Sequence, residues 1–242
     1  MTRLMTRWTF TALMLFGLGL QGRALAGEAC TGASVSGFNP GALYGPKVVF
    51  DIYRNGHKVG EQVTSFADQG NRLEVTSDMK LKVKFLFITA YRYHYKSQEI
   101  WCGDKLTALT SHIDDNGDRH SVVASSAPGG LEVTGLGQRP ELIPEMMPTT
   151  HWNVDILTQH RLLNSITGRV NRVLIKDLVQ AEVETGTGLR LATRYEYTGD
   201  VKDTDVWYDT RGRWVRLQFK AKDGSEITYV CRDCGGVKIS SN

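Results

Sequence analysis

The sequence lacks the motifs that mark the best-known enzyme classes. It contains no G-x-S-x-G nucleophile motif, no phosphate-binding P-loop and no G-x-G-x-x-G ahead of a helical pattern. An H-E-x-x-H motif and clustered His/Cys spacing are also missing, so we expect neither a metal site nor a cofactor. No residue is predicted to be catalytic, and a non-enzymatic role is the favoured one.

A hydrophobic run long enough to span a membrane is lacking too. The longest covers Phe10–Leu20, whereas a transmembrane helix needs about 20 apolar residues. It follows Arg3 and Arg7 and precedes Ala24–Ala26, the pattern of a secretory signal peptide with an A-x-A cleavage site. We therefore expect cleavage after Ala26, export to the periplasm and no transmembrane anchor.

The chain after this leader has no excess of positive or negative charge. The chain has 29 Lys+Arg and 26 Asp+Glu, and Arg3, Arg7 and Arg23 account for the difference. No basic stripe with interleaved aromatic residues is present, so we expect no nucleic-acid partner. The sequence does not identify a protein partner.

Cysteine is scarce but even in number, with Cys30, Cys102, Cys231 and Cys234. In an exported protein this favours disulfides, and four cysteines allow three pairings. Two pairings tie Cys30 to the C-terminal pair, and the third joins Cys231 to Cys234. Acylation of Cys30 is disfavoured because Glu28 stands where a lipid-attachment box has a small residue.

Helical periodicity is nearly absent, and apolar residues alternate with polar ones between turn signals. We predict a mainly β fold with one curved antiparallel sheet of about 10–12 strands, either a half-barrel or a closed barrel, and one short helix-bearing insertion. Asn55-Gly56 and Asn116-Gly117 are the strongest hairpin signals, and the second places His112 and His120 on opposite faces of the sheet. The predicted strands cover 47–54, 57–66, 72–84, 85–101, 105–114, 119–126, 131–134, 169–184, 189–197, 204–208, 214–221 and 226–231.

The predicted organisation is a single β domain over residues 47–234. The signal peptide covers 1–26, an irregular segment 27–46 and a flexible tail 235–242. An insertion at 140–167 is rich in proline and then shows an amphipathic pattern over 151–163, where we predict a short helix. In a β protein such an insertion either plugs a barrel end or covers an open face.

The most distinctive stretch is the aromatic segment 85–95. As a single strand it would carry five aromatic side chains on one face. Such a face suits the wall of a cavity for an apolar or amphipathic ligand, and ordinary core packing is the alternative. The insertion contributes an adaptable methionine, a histidine and a tryptophan that either covers the cavity or plugs the fold. The predicted ligand-binding residues are Phe85, Phe87, Tyr91, Tyr93, Tyr95, Met147, His151 and Trp152.

A family resemblance rests on several segments taken together: 49–60, 85–95, 114–117, 148–153, and 205–209 with 212–215. They resemble the exported bacterial domain-of-unknown-function family six-one-three-four over nearly all of the chain after the leader. The four cysteines are not part of that pattern, so the resemblance implies no pairing. More distantly, the chain is similar to the periplasmic half-barrels that carry lipoproteins or sense misassembled envelope components, which implies a fold and no activity.

Three functional hypotheses follow. The first is a non-catalytic periplasmic binding or carrier module for an apolar or amphipathic envelope molecule. The second is an envelope hydrolase or isomerase that uses His151 or His94 as a base beside an Asp or Tyr. The third is a structural or assembly protein that uses its sheet edges and an exposed apolar patch.

Overall fold

The computed structural model describes Cys30, residues 38–85 and residues 88–235. The predicted signal peptide and the tail after Gly235 lie outside the described residues. The elements in chain order are α1 (Pro40–Tyr44), β1 (Lys47–Arg54), β2 (His57–Asp68), β3 (Arg72–Phe85), β4 (Ile88–Cys102), β5 (Lys105–Asp115), β6 (Asp118–Ala127), β7 (Gly130–Thr134), β8 (Glu141–Ile143), a 3-10 turn (Val154–Thr158), β9 (Arg161–Leu163), β10 (Val170–Thr185), β11 (Gly188–Gly199), β12 (Thr204–Asp209), β13 (Trp214–Lys220) and β14 (Glu226–Asp233).

The strands form one 14-stranded sheet in the order β8-β7-β6-β5-β4-β3-β2-β1-β14-β13-β12-β11-β10-β9, with antiparallel neighbours throughout. Two meanders, β1–β8 and β9–β14, therefore meet where the first strand pairs with the last. Within the described part of the chain the edge strands β8 and β9 do not pair, so the sheet is open and not a closed barrel. The predicted fold class is confirmed, with two additional short strands in the insertion.

Two hairpin turns form at the two Asn-Gly pairs of the sequence. Asn55 and Gly56 have φ angles of 47° and 79°, the left-handed backbone that matches a two-residue turn to the twist of its strands. The second Asn-Gly turn sets His112 opposite Ser121 and Ile113 opposite His120. The two histidines therefore alternate onto opposite faces, as the sequence predicts.

The aromatic segment is not a single strand. β3 ends at Phe85 and β4 begins at Ile88, so Phe85 lies on a different strand from Tyr91 and Tyr95. Phe87 lies outside the described residues. The prediction was wrong because residues 86 and 87 include none of the Gly, Asn or Asp that signal a turn, and apolar character continues across the chain reversal.

The helix predicted over 151–163 is also wrong. Only Val154–Thr158 is helical, as a 3-10 turn capped by Asn153, and the strand β9 follows it. The backbone of this segment bonds to distant chain instead, since Leu163 N donates to Met147 O and Thr149 N donates to Leu163 O, both at 2.9 Å. Tertiary hydrogen bonds thus override a weak helical pattern.

An additional short helix lies in the segment predicted to be irregular. α1 spans Pro40–Tyr44, with proline in its first turn and the Asn39 side chain accepting a hydrogen bond from Ala42 N at 2.9 Å. It carries Tyr44 into the core, where the side chain is 2% exposed.

Two disulfides join Cys30 to Cys102 and Cys231 to Cys234. This is the third of the pairings that the sequence leaves open. The first closes a loop with a sequence separation of 72, for which the chain-entropy argument gives about 4 kcal/mol of stabilisation. Such bonds are compatible with export to an oxidising compartment.

The described residues contain no helix of the length and apolarity that crossing a membrane requires.

Candidate functional site

A cavity of about 280 Å³ lies between the inner face of the sheet and the insertion. Strands β2–β4 and β11–β14 supply its walls, and the chain around Thr149–Trp152 and Leu162–Ile166 supplies its cover. Apolar side chains such as Met79, Leu217 and Phe219 share the lining with small polar ones. Because the insertion supplies one side of this cavity, it covers the open inner face of the sheet.

The structure brings three of the predicted ligand-binding residues together. Tyr95, His151 and Trp152 line the same cavity. Tyr93 is half-buried against the core and Met147 is buried, and neither is part of the lining. Tyr91 lies nearer the start of β4 and is also outside the lining.

Two tyrosine hydroxyls hold the insertion in place. Tyr44 Oη donates to the Trp152 carbonyl at 3.0 Å and accepts from Trp214 N at 2.8 Å. Tyr208 Oη donates to the His151 carbonyl at 2.9 Å. These bonds satisfy backbone groups that the irregular chain would otherwise leave buried without partners.

On the opposite wall, the insertion is bonded to β4 and to itself through Ser165. Tyr95 Oη donates to Ser165 Oγ at 3.0 Å, and Ser165 N donates to Thr149 Oγ1 at 3.1 Å. Tyr95 thereby fixes one side of the cover and also forms part of the cavity wall.

Two buried polar atoms in the lining lack partners among the described residues: His151 Nδ1 and Tyr197 Oη. The His151 ring lies edge-on to Tyr197 at 5.8 Å between centroids. Burial lowers the pKa of His151 to about 4, so the imidazole is neutral near pH 7. Native proteins bond most buried polar groups, so these two atoms call for a partner such as a water molecule or a ligand.

Beside the cavity, Glu99 is fully buried, with 0% exposure. Its Oε2 accepts from Trp101 Nε1 at 2.9 Å and from Trp152 Nε1 at 3.2 Å. Its Oε1 has no well-formed hydrogen bond within the described chain, although the Thr150 hydroxyl lies close enough to lower the pKa. Burial outweighs these bonds and raises the pKa of Glu99 to about 7.

Sequence reasoning missed Glu99, although a signal for it exists. Period-two alternation from Tyr93 and Tyr95 places Ser97, Glu99 and Trp101 on the same inward face. A glutamate that alternates with aromatic residues on a core face is unusual enough to be flagged.

Each of the two histidines named as candidate bases lacks one feature of a general-base site. His151 lies in the cavity but bonds no carboxylate, and its pKa shift has burial as its only cause. His94 Nε2 lies 3.0 Å from Asp78 Oδ1, but both side chains are exposed on the outer face. A buried histidine bonded to a carboxylate would have supported general-base chemistry, and these two histidines do not combine the features.

Among the described residues, no group of three or more His, Cys, Asp or Glu side chains is placed to hold a metal ion.

Comparison with known proteins identifies a family and a fold. The family model described as "Domain of unknown function (DUF6134)" matches residues 50–232, which confirms the family resemblance. No curated protein matches the chain. Among solved structures it is similar to a beta-barrel-like protein of domain of unknown function DUF1849 from Brucella abortus, with a TM-score of 0.55 and 10% identity over 76% of this chain and 94% of that chain. At that identity the likeness shows the fold alone.

Proposed function

We propose that this chain, which belongs to the DUF6134 family of domains of unknown function, is exported to the periplasm as a non-catalytic binding or carrier module. Its ligand is a small apolar or amphipathic molecule of the cell envelope. The observation that carries this proposal is the covered cavity of about 280 Å³ with unpartnered polar atoms in its lining.

The size of the cavity limits the kind of molecule that could bind. Its volume of about 280 Å³ lies just below the ~300 Å³ lower end of small-molecule pockets. It fits a compact ligand or a single chain and is too small for a diacyl lipid.

The composition of the lining supports the same proposal. Binding sites for small molecules combine a mostly apolar wall with a few polar groups that orient the ligand. Here Met79, Leu217 and Phe219 supply apolar wall, and His151 and Tyr197 supply polar atoms that have no partner within the described ranges.

Filling the cavity tests the proposal. Val201 lines the cavity and is half-buried, so Val201→Trp should occupy part of the space. Val179 is 64% exposed on β10 and does not line it, so Val179→Trp is the matched control. Small molecules that co-purify with each protein from the native periplasm would be quantified by mass spectrometry.

We expect a species that is retained by the parent and by Val179→Trp and is depleted at least about fivefold in Val201→Trp, because filled volume removes apolar contact. Equal amounts in both variants would contradict binding in this cavity. Trp152→Ala is a poorer test, because the Trp152 ring also packs against Phe66 and Trp101 at 5.8 and 5.4 Å between centroids.

A further inference from the structure

The lining of the cavity contains no Lys, Arg, Asp or Glu among the described residues. Charged residues make up 23% of the chain, and the clefts on other surfaces of the protein are rich in them, with Arg194, Lys202 and Asp205 in one and Asp51, Glu184 and Arg232 in another. The absence of charge therefore distinguishes this cavity from the other clefts.

The ionisable groups that do line the cavity are neutral at physiological pH. Burial holds the pKa of His151 near 4, and burial raises the pKa of Tyr197 above its usual range. Neither side chain offers a charge that could neutralise an ionic ligand. Glu99 beside the cavity is protonated below about pH 7, so under those conditions a ligand charge placed here would be removed from water without a counter-charge, which costs several kcal/mol.

One region of the lining can recognise a polar group. Tyr197 is 1% exposed, and its hydroxyl has no partner in the described chain. His151 Nδ1, on the ring that contacts Tyr197, is also unpartnered. A hydroxyl donates and accepts hydrogen bonds, and a neutral imidazole nitrogen does one or the other according to its tautomer.

We propose that the cavity selects an uncharged ligand whose hydroxyl or carbonyl group bonds to Tyr197 and His151 while its apolar body lies against Met79, Leu217 and Phe219. The cavity then discriminates against fatty acid anions and other charged amphiphiles. This inference rests on the proposed function, since it specifies the ligand class of the same site.

Three probes with the same apolar chain test the charge selectivity: 1-decanol, decanoate and decylammonium, titrated calorimetrically into the full protein at pH 6.0, where Glu99 is protonated and both ions keep their charge. We expect 1-decanol to bind with a Kd at least about 100-fold lower than that of either ion, because only the ions pay for burying an unpaired charge. Val201→Trp should weaken binding of 1-decanol, and Val179→Trp should not.

A second variant tests the polar contact. Tyr197→Phe removes the unpartnered hydroxyl and should weaken binding of 1-decanol about fivefold to tenfold, which is the effect of one hydrogen bond. Tyr53 lies in a cleft outside the cavity, so Tyr53→Phe should leave the affinity unchanged.

The outcomes separate the two proposals. If decanoate binds as tightly as 1-decanol and Val201→Trp abolishes both, the cavity binds ligands but the charge selectivity is refuted. If Tyr197→Phe leaves the affinity for 1-decanol intact, the hydroxyl contact is refuted. If none of the three probes binds, and no co-purified molecule distinguishes Val201→Trp from Val179→Trp, the proposed function itself fails.

Discussion

Two carboxylates are buried in the part of the chain that the structure describes, and their surroundings differ. Asp209 is 7% exposed, and its Oδ2 accepts from the Arg213 guanidinium at 2.6 and 2.7 Å while its Oδ1 accepts from two backbone N–H groups. Glu99 is 0% exposed and bonds only two indole N–H groups, both on one oxygen. The first carboxylate has a cation, and the second has none among the described residues.

The difference separates a structural role from a functional candidate. Asp209 and Arg213 are four residues apart in the turn between β12 and β13, where Gly212 N also bonds Asp209 O. That pair fixes a local turn. Glu99 instead accepts a hydrogen bond from Trp152, 53 residues away in the cover of the cavity, and its pKa of about 7 makes its charge depend on pH in the neutral range.

Breaking the paired carboxylate should have the largest effect. Arg213→Met leaves buried Asp209 with only the more distant Arg190 guanidinium, 3.6 Å away, and we expect a loss of about 3 kcal/mol in the free energy of unfolding, measured with urea. Arg194→Met removes a half-exposed partner of Asp205 and should cost at most about 1 kcal/mol. Equal losses of stability in the two variants would contradict this prediction. They would show that the buried Asp209–Arg213 pair stabilises the protein no more than the half-exposed Arg194–Asp205 pair.

Neutralising the unpaired carboxylate should change the pH dependence of stability. The pKa of Glu99 rises from 4.5 to about 7 on folding. Between these values the folded chain holds a proton that the unfolded chain releases, so this contribution to stability falls as the pH rises and levels off above about pH 7. Relative to the parent, Glu99→Gln should therefore gain about 3 kcal/mol across that interval.

The neighbouring His151 contributes with the opposite sign. Its pKa falls from 6.5 to about 4 on folding, so the unfolded chain binds more protons in that interval and stability rises with pH. Urea midpoints of the parent should thus be nearly flat between about pH 4.5 and 6.5, while those of Glu99→Gln should rise. Parallel profiles in parent and variant would refute protonation of Glu99, and Glu61→Gln, which is exposed, is the control.

Removing one of the two indole N–H groups that bond Glu99 should have a smaller effect on stability. Trp152→Phe keeps an aromatic ring but withdraws one hydrogen bond from Glu99 Oε2, and we expect a loss of about 1–2 kcal/mol. Hydrogen bonding by Trp152 lowers the pKa of Glu99, so this pKa should be higher in Trp152→Phe than in the parent. The stability of the variant should therefore continue to fall up to a higher pH. Trp207→Phe, on a ring that stacks with arginines and bonds no carboxylate, should leave the pH profile unmoved.

The smallest effect concerns two buried tyrosines. Tyr208→Phe removes a hydroxyl that donates to the His151 carbonyl and should cost about 1 kcal/mol, whereas Tyr197→Phe removes a hydroxyl without a partner and should cost less than about 0.5 kcal/mol. Thermal unfolding at pH 7.5 would measure both. A larger loss for Tyr197→Phe would indicate that its hydroxyl already has a structural partner.

Local patterns predicted most of the sheet because each strand and turn is encoded by adjacent residues. β1 has the predicted bounds, and the Asn116-Gly117 hairpin has the predicted register. The errors occur where local signals are weak, between the end of β3 at Phe85 and the start of β4 at Ile88 and in the insertion, whose backbone bonds to distant chain.

The sequence by itself determined the class of fold, the two Asn-Gly turns, the alternation that points Tyr95 inward and the family. The tertiary structure decided that the sheet stays open, which cysteines pair, and that Tyr95, His151, Trp152 and Tyr197 border one cavity. The physical reason is the sequence separation of the contacts. A turn or a strand depends on neighbouring residues, whereas a cavity depends on contacts between distant segments that only the packed chain brings together.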